Sequence, residues 1–129
     1  MNTEGKLKSY KDLLVWQKSM ALVKDIYHLT SCFLPDERFG LASQLRRAAV
    51  SVPSNIAEGQ TLHTSGEFVQ FLSHAEGSLA EVETQLLIAI ELNFCSQKEA
   101  SQALAQIDEL QRMLNSLRRK LATDHSPLC

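Results

Sequence analysis

Leu45-Arg46-Arg47-Ala48-Ala49-Val50-Ser51-Val52-Pro53-Ser54-Asn55-Ile56-Ala57-Glu58-Gly59 carries the pattern around which the other helices of this chain are arranged. Its apolar residues Leu45, Ala49, Val52 and Ile56 recur at alternating intervals of four and three, which lines them along one face of a helix. Small residues flank that stripe (Ala48, Ser51, Ser54, Ala57) and let a neighbouring backbone come close. Two arginines stand near its start and Pro53 interrupts it.

Working outward, the same periodicity recurs three more times. A first helix is expected over about 12–31, with Leu13, Trp16, Met20, Val23, Tyr27 and Thr30 as its inner stripe, widened by Leu22, Ile26 and Leu29. Asp12 suits its N-cap. The second helix is expected over about 37–60, with Phe39, Ala42, Leu45, Ala49, Val52 and Ile56 inside. Pro35 helps to begin it, Pro53 kinks it, and Gly59 stops it. Thr64 with Glu67 has the form of a capping box. It opens a third helix over about 65–92, carrying Phe68, Phe71, Leu72, Ala75, Leu79, Val82, Leu86, Ala89 and Ile90. Gly77 costs such a helix about 1 kcal/mol relative to Ala, so it is read as the mark of a close helix crossing. Asn93-Phe94-Cys95 is the next turn. Ser96 with Glu99 is a second capping box, starting a fourth helix over about 96–121 on Ala100, Ala103, Leu104, Ile107, Leu110, Leu114, Leu117 and Leu121. Arg118, Arg119 and Lys120 then fall in its last turn and complement the helix dipole. Four helices joined by short loops predict an all-α, antiparallel up-down-up-down four-helix bundle over 12–121. Residues 1–11 are expected to be a flexible tail and 122–129 a frayed one.

Composition agrees. The chain has 129 residues, 44% of them hydrophobic and 22% charged, with few Gly and Pro; that supports one helical domain with one core. Its formal net charge of −2 does not suit a domain that lives by gripping phosphates. No apolar run is long enough to span a membrane, and the first residues lack the apolar core of a signal peptide. Three scattered cysteines, Cys32, Cys95 and Cys129, read as reduced thiols of a cytoplasmic protein.

The charge is unevenly spread. From Ala48 to Gln97 there is no Lys or Arg, whereas Glu58, Glu67, Glu76, Glu81, Glu83 and Glu91 all fall there. Folding the second helix on the third about a turn near Leu62 brings position 46 level with roughly position 78, given equal rise on both helices. Arg46 or Arg47 is therefore expected to pair with Glu76 or Glu81, within a subunit or across a subunit boundary.

Little in the sequence points to catalytic or metal chemistry. A di-metal bundle needs Glu-x-x-His pairs; only His28 has an acid three residues before it, Asp25, while His63, His74 and His125 have none. No phosphate loop or nucleophile elbow is present. Ser51, Asn55 and Glu58 share one side of the second helix, but no base is placed beside Ser51. Ser51 and Asn55 read better as groups that satisfy the backbone around Pro53 and fix register. No catalytic, cofactor or metal site is expected, and the chain is read as a non-enzyme.

The block from Leu45 to Gly59, together with Leu14-Val15-Trp16-Gln17-Lys18, Leu34-Pro35, Gly40-Leu41-Ala42-Ser43-Gln44-Leu45 and Ser78-Leu79-Ala80-Glu81-Val82-Glu83-Thr84-Gln85-Leu86, closely resembles a bacterial family of four-helix bundle proteins. Its members are encoded in intervening sequences of 23S ribosomal RNA genes and are also labelled S23 ribosomal proteins. The resemblance covers about residues 10–120. It implies an up-down-up-down bundle that assembles into a homo-oligomeric ring, typically a pentamer, with no assigned enzymatic activity. A relative in diversity-generating retroelements, the accessory variability protein, binds a reverse transcriptase and nucleic acid, but that relative is strongly basic. The first functional expectation is thus a self-assembling scaffold or interaction protein. The second is a nucleic-acid-binding accessory factor, with Lys6, Lys8, Lys11, Arg46, Arg47, Arg112, Arg118, Arg119 and Lys120 as its candidate contacts.

Overall fold

The computed structural model describes residues 9–37, 40–62 and 64–125. The expected roles of Lys6, Lys8, Phe39, His63 and Cys129, the side chain of His125, and most of both tails lie outside them. Four helices run α1 (Leu14–Thr30), α2 (Leu41–Gln60), α3 (Ser65–Glu91) and α4 (Gln97–His125), and no strand occurs among the described residues. α1 and α3 each pack against both α2 and α4, and among the described residues no diagonal pair of helix backbones comes close, so the helices close a four-membered ring around one core. Polar pairs run in opposite directions along each seam, as antiparallel neighbours require: Lys18 with Glu109 and Asp25 with Gln102, then Glu76 with Arg118 and Glu83 with Gln111.

The inner faces of α2, α3 and α4 follow the periodic stripes. Leu45, Val52, Ile56, Leu72, Leu79, Val82, Leu86, Ile107 and Leu114 are wholly buried. α1 is turned by about one residue from its expected setting. Its buried face is Val15, Ser19, Leu22, Ile26 and Thr30, while Met20 and Tyr27 are exposed by 44% and 43%. α1 is apolar on more than one side, so two stripes of equal period compete. The core takes the compact aliphatics and leaves Trp16, Met20 and Tyr27 at its rim. Ser19 is accepted inside because its hydroxyl donates to the Trp16 carbonyl at 2.8 Å.

The ends show how the chain is punctuated. Asp12 does not cap α1. It lies in a short 3-10 turn, Tyr10–Asp12, whose capping box it forms with Ser9, and Leu13 precedes α1 without a side-chain cap. Pro35 opens a separate 3-10 turn, Pro35–Glu37, rather than α2 itself. Thr64 and Ser96 both cap, each hydroxyl accepting the backbone N–H three residues on, at 3.1 and 3.0 Å, but the Thr64 box is half made: its hydroxyl donates to the Glu67 carboxylate at 2.9 Å. Glu99 returns the bond to the Ser96 N–H at 2.8 Å. At the end of α3, Asn93 takes a φ of 64°. The Phe94 N–H then reaches the Ala89 carbonyl and the Asn93 N–H the Ile90 carbonyl, a Schellman closure in which Asn is the usual substitute for Gly. Phe94 also meets Phe33, ring centres 5.8 Å apart. α4 continues past Leu121 to His125, so Arg118–Lys120 are not in its last turn.

Neither Gly59 nor Gly77 plays its expected role. Gly59 does not stop α2, which runs on to Gln60. It is buried where α3 presses closest: a Cβ there would stand 2.6 Å from the Phe71 Cβ and 3.1 Å from a Phe68 ring carbon. Gly77 faces open space, with nothing within 4 Å of an added Cβ, so it marks no crossing. Gly59→Ala should therefore cost about 1–3 kcal/mol through overpacking. Gly77→Ala should raise stability by up to about 1 kcal/mol. Denaturant melts of the two variants against the parent check both signs.

Candidate functional site

The polarity of the Leu45–Gly59 stretch resolves into two devices. The first is a polar seam between α2 and α3. Ser51 Oγ meets Ser78 Oγ at 2.6 Å. Asn55 Nδ2 donates to the Ser51 carbonyl at 2.8 Å and to Ser51 Oγ at 3.1 Å. Two turns away, buried Gln85 donates to Gln44 Oε1 at 3.4 Å and to Glu81 at 3.1 Å. Ser54 donates to the Val50 carbonyl at 2.9 Å, so both polar residues that follow Pro53 feed carbonyls one turn back. α2 stays continuous through Pro53. Ser51 has no base beside it among the described residues; its neighbours are a hydroxyl and an amide, which hold geometry rather than activate a nucleophile. Glu58 is exposed at the far end of the same face.

The second device is an arginine staple between α1 and α2. Arg46 Nε donates to Thr30 Oγ1 at 2.7 Å and its Nη2 to the Tyr27 carbonyl at 3.2 Å. Its guanidinium carbon lies 4.5 Å from the centre of the Tyr27 ring, in cation–π range. The expected pairing of Arg46 or Arg47 with Glu76 or Glu81 is not made. Arg46 turns to the opposite neighbour, Arg47 is exposed, and among the described residues neither forms an ion pair. The register explains the miss: Ser51, not position 46, stands level with Ser78, because the turn is centred later than Leu62.

Glu76 instead pairs with Arg118 of α4, and Glu83 accepts from Gln111 at 3.2 Å. The acidity of α3 is thus answered by α4. This spends cations nominated for phosphate. Arg118 is paired with Glu76, Arg112 with Asp108 four residues before it, and nearby Lys18 with Glu109 at 3.3 Å. Lys11, Arg119 and Lys120 are exposed and make no ion pair among the described residues. No three His, Cys, Asp or Glu side chains cluster there as metal ligands would. His74 is exposed and edge-on to Phe71. No described helix is long and apolar enough to cross a membrane.

Two open apolar grooves flank α1, and sequence reasoning missed both because it placed Leu13, Trp16, Met20, Val23 and Leu117 in the core. One, of about 340 Å³, lies towards α2 and is lined by Tyr10, Trp16, Met20, Val23, Val50, Pro53, Ser54 and Ala57. The other, of about 470 Å³, lies towards α4, with Leu13, Leu14, Met113 and Leu117 as its floor and Arg112 and Lys120 among its lining. On the outside of α3, Leu87, Ile88 and Leu92 are exposed by 48%, 42% and 55%.

With this geometry in hand, the comparisons are direct. Residues 11–116 match the model of the family described as 23S rRNA-intervening sequence protein. The chain belongs to that family. Its fold is similar to the crystal structure of a protein of unknown function from the S23 ribosomal protein family of Bacteroides thetaiotaomicron. The two share 23% identity at a TM-score of 0.75, over 81% of this chain and 98% of that one. No curated protein matches.

The thiols differ in a way that can be measured. Cys32 is exposed and Cys95 buried. Burial, and then the charge of Glu99, push the Cys95 thiol above its ordinary pKa. A group with a raised folded-state pKa lends stability that is full below the unfolded value and lost as pH climbs through the folded one. Cys95 therefore favours folding at neutral pH and ceases to do so in alkali, and Cys95→Ala should flatten that alkaline decline. In the native protein at neutral pH, iodoacetamide should label Cys32 and spare Cys95 until the chain is unfolded, as read by peptide mass mapping.

Proposed function

We propose that this chain is a non-catalytic, self-assembling bundle that serves as an oligomeric scaffold or interaction protein. The observation that carries the reading is a pair of unlike apolar surfaces on one subunit. One is the concave groove of Trp16, Met20, Val50 and Ala57 between α1 and α2. The other is the convex outer side of α3, where exposed Gly77, Ala80 and Thr84 lead to Leu87, Ile88 and Leu92. A ridge meeting a different surface on the next copy makes a heterologous contact, and such contacts close into a ring when the rotation between copies divides a full turn. Resemblance to the family favours five copies.

Nucleic-acid binding draws less support. Arg112 and Arg118 are engaged by carboxylates of their own subunit, and the net charge is negative.

Light scattering coupled to size-exclusion chromatography tests the assembly. The parent should run as a multimer at micromolar concentration. Met20→Glu with Val50→Glu should give a monomer of unchanged helix content, because both positions are exposed in the subunit. A monomeric parent would overturn the reading.

A further inference from the structure

Arg46 has more to give than the staple uses. A guanidinium carries five N–H donors. Nε spends one on Thr30 Oγ1 and Nη2 one on the Tyr27 carbonyl. Three are left without a partner among the described residues. The plane of the group is already fixed by those two bonds and by the Tyr27 ring beneath it. Thr30 cannot compete for a ligand, since its own proton goes to the Ile26 carbonyl at 2.7 Å.

Arg46 also lines a cavity of about 240 Å³ where the end of α1 faces the start of α2; Thr30, Ser31, Phe33, Leu34, Pro35 and Ala42 complete its lining. Asp36 and Glu37 follow in sequence, but neither lines it, and Glu37 is occupied with the Leu41 N–H at 3.2 Å. The site therefore joins a pre-oriented cation to a mixed lining, in which Thr30 and Ser31 are polar and Leu34 is the large exposed apolar side chain, with no neutralising carboxylate among its described residues. Arginine in that setting matches a carboxylate through two parallel N–H bonds. A phosphate would call for more charge than one guanidinium and would gain nothing from Phe33 or Leu34.

We propose that this cavity binds a small organic acid, its carboxylate held by the free edge of Arg46 and its short apolar stem laid against Phe33, Leu34 and Ala42. The site lies within one subunit and does not depend on assembly.

The test is a titration of the full-length protein by heteronuclear NMR, following Arg46 Nε–H and the Ala42 and Leu34 methyls. The probes are isovalerate, phenylacetate, acetate and inorganic phosphate at matched ionic strength. Isovalerate or phenylacetate should shift all three signals saturably and bind several-fold more tightly than acetate; phosphate should produce no saturable shift. Arg46→Gln should abolish the response. Leu34→Asp alters an exposed wall residue that the fold does not need, and it should weaken binding several-fold with helix content unchanged. No saturable shift with any carboxylate, an equal response to phosphate, or full affinity in Leu34→Asp would each overturn the proposal.

Discussion

The close approach of α2 to α3 is the constraint on which the remaining structure depends. Gly59 lets Phe71 press against the α2 backbone at one end, and Ser51 with Ser78 bridges the middle. Gln44 with Gln85 continues the same register towards the other end. Small residues mark the points of closest approach, Gly59 against Phe71 and Ser51 against Ser78. The seam also fixes which turn of α3 faces α4, and hence that Glu76 reaches Arg118 and Glu83 reaches Gln111. The polar bridges are individually modest, about 0.5–1.5 kcal/mol each. Their greater effect is to penalise any sliding of one helix on the other, since a slipped register would bury the same groups unpaired.

Much of this was legible in the residues. α2 and α4 each have one apolar stripe and a clearly polar remainder, so their buried faces could be read off directly. Thr64 and Ser96 announced the starts of α3 and α4 through the acid three residues on. The errors fall where the pattern is degenerate or where the answer lies in a turn. α1 offers two stripes of the same period, and only packing chooses between them. The partner of Arg46 depends on where the α2–α3 turn is centred, and a shift of a few residues there moves every cross-helix pair. Gly59 and Gly77 look alike in sequence; their roles differ because one faces the seam and the other faces away from the subunit.

The same misreading of α1 hid the surfaces that now bear on function. With Met20 outside and Trp16 at the rim, α1 has an apolar groove on each flank. The Arg-Arg pair likewise divides into an inner residue that ties α1 to α2 and an outer one left exposed. The polar groups of the Leu45–Gly59 stretch are thus spent on holding helices in place, and the chemistry still available to partners lies on the grooves, on the outer side of α3 and on the unspent edge of Arg46. Membership of the 23S rRNA-intervening sequence protein family accords with a subunit whose distinctive residues serve architecture.

The register of α2 on α3 can be read by cross-linking. In a background with the native cysteines replaced, Ser51→Cys with Ser78→Cys should form an intramolecular disulfide under mild oxidation, because the two hydroxyls already stand 2.6 Å apart. Arg46→Cys with Ser78→Cys should not, although a turn centred at Leu62 would favour it. Rapid bonding of the second pair, or failure of the first in a folded protein, would contradict the account.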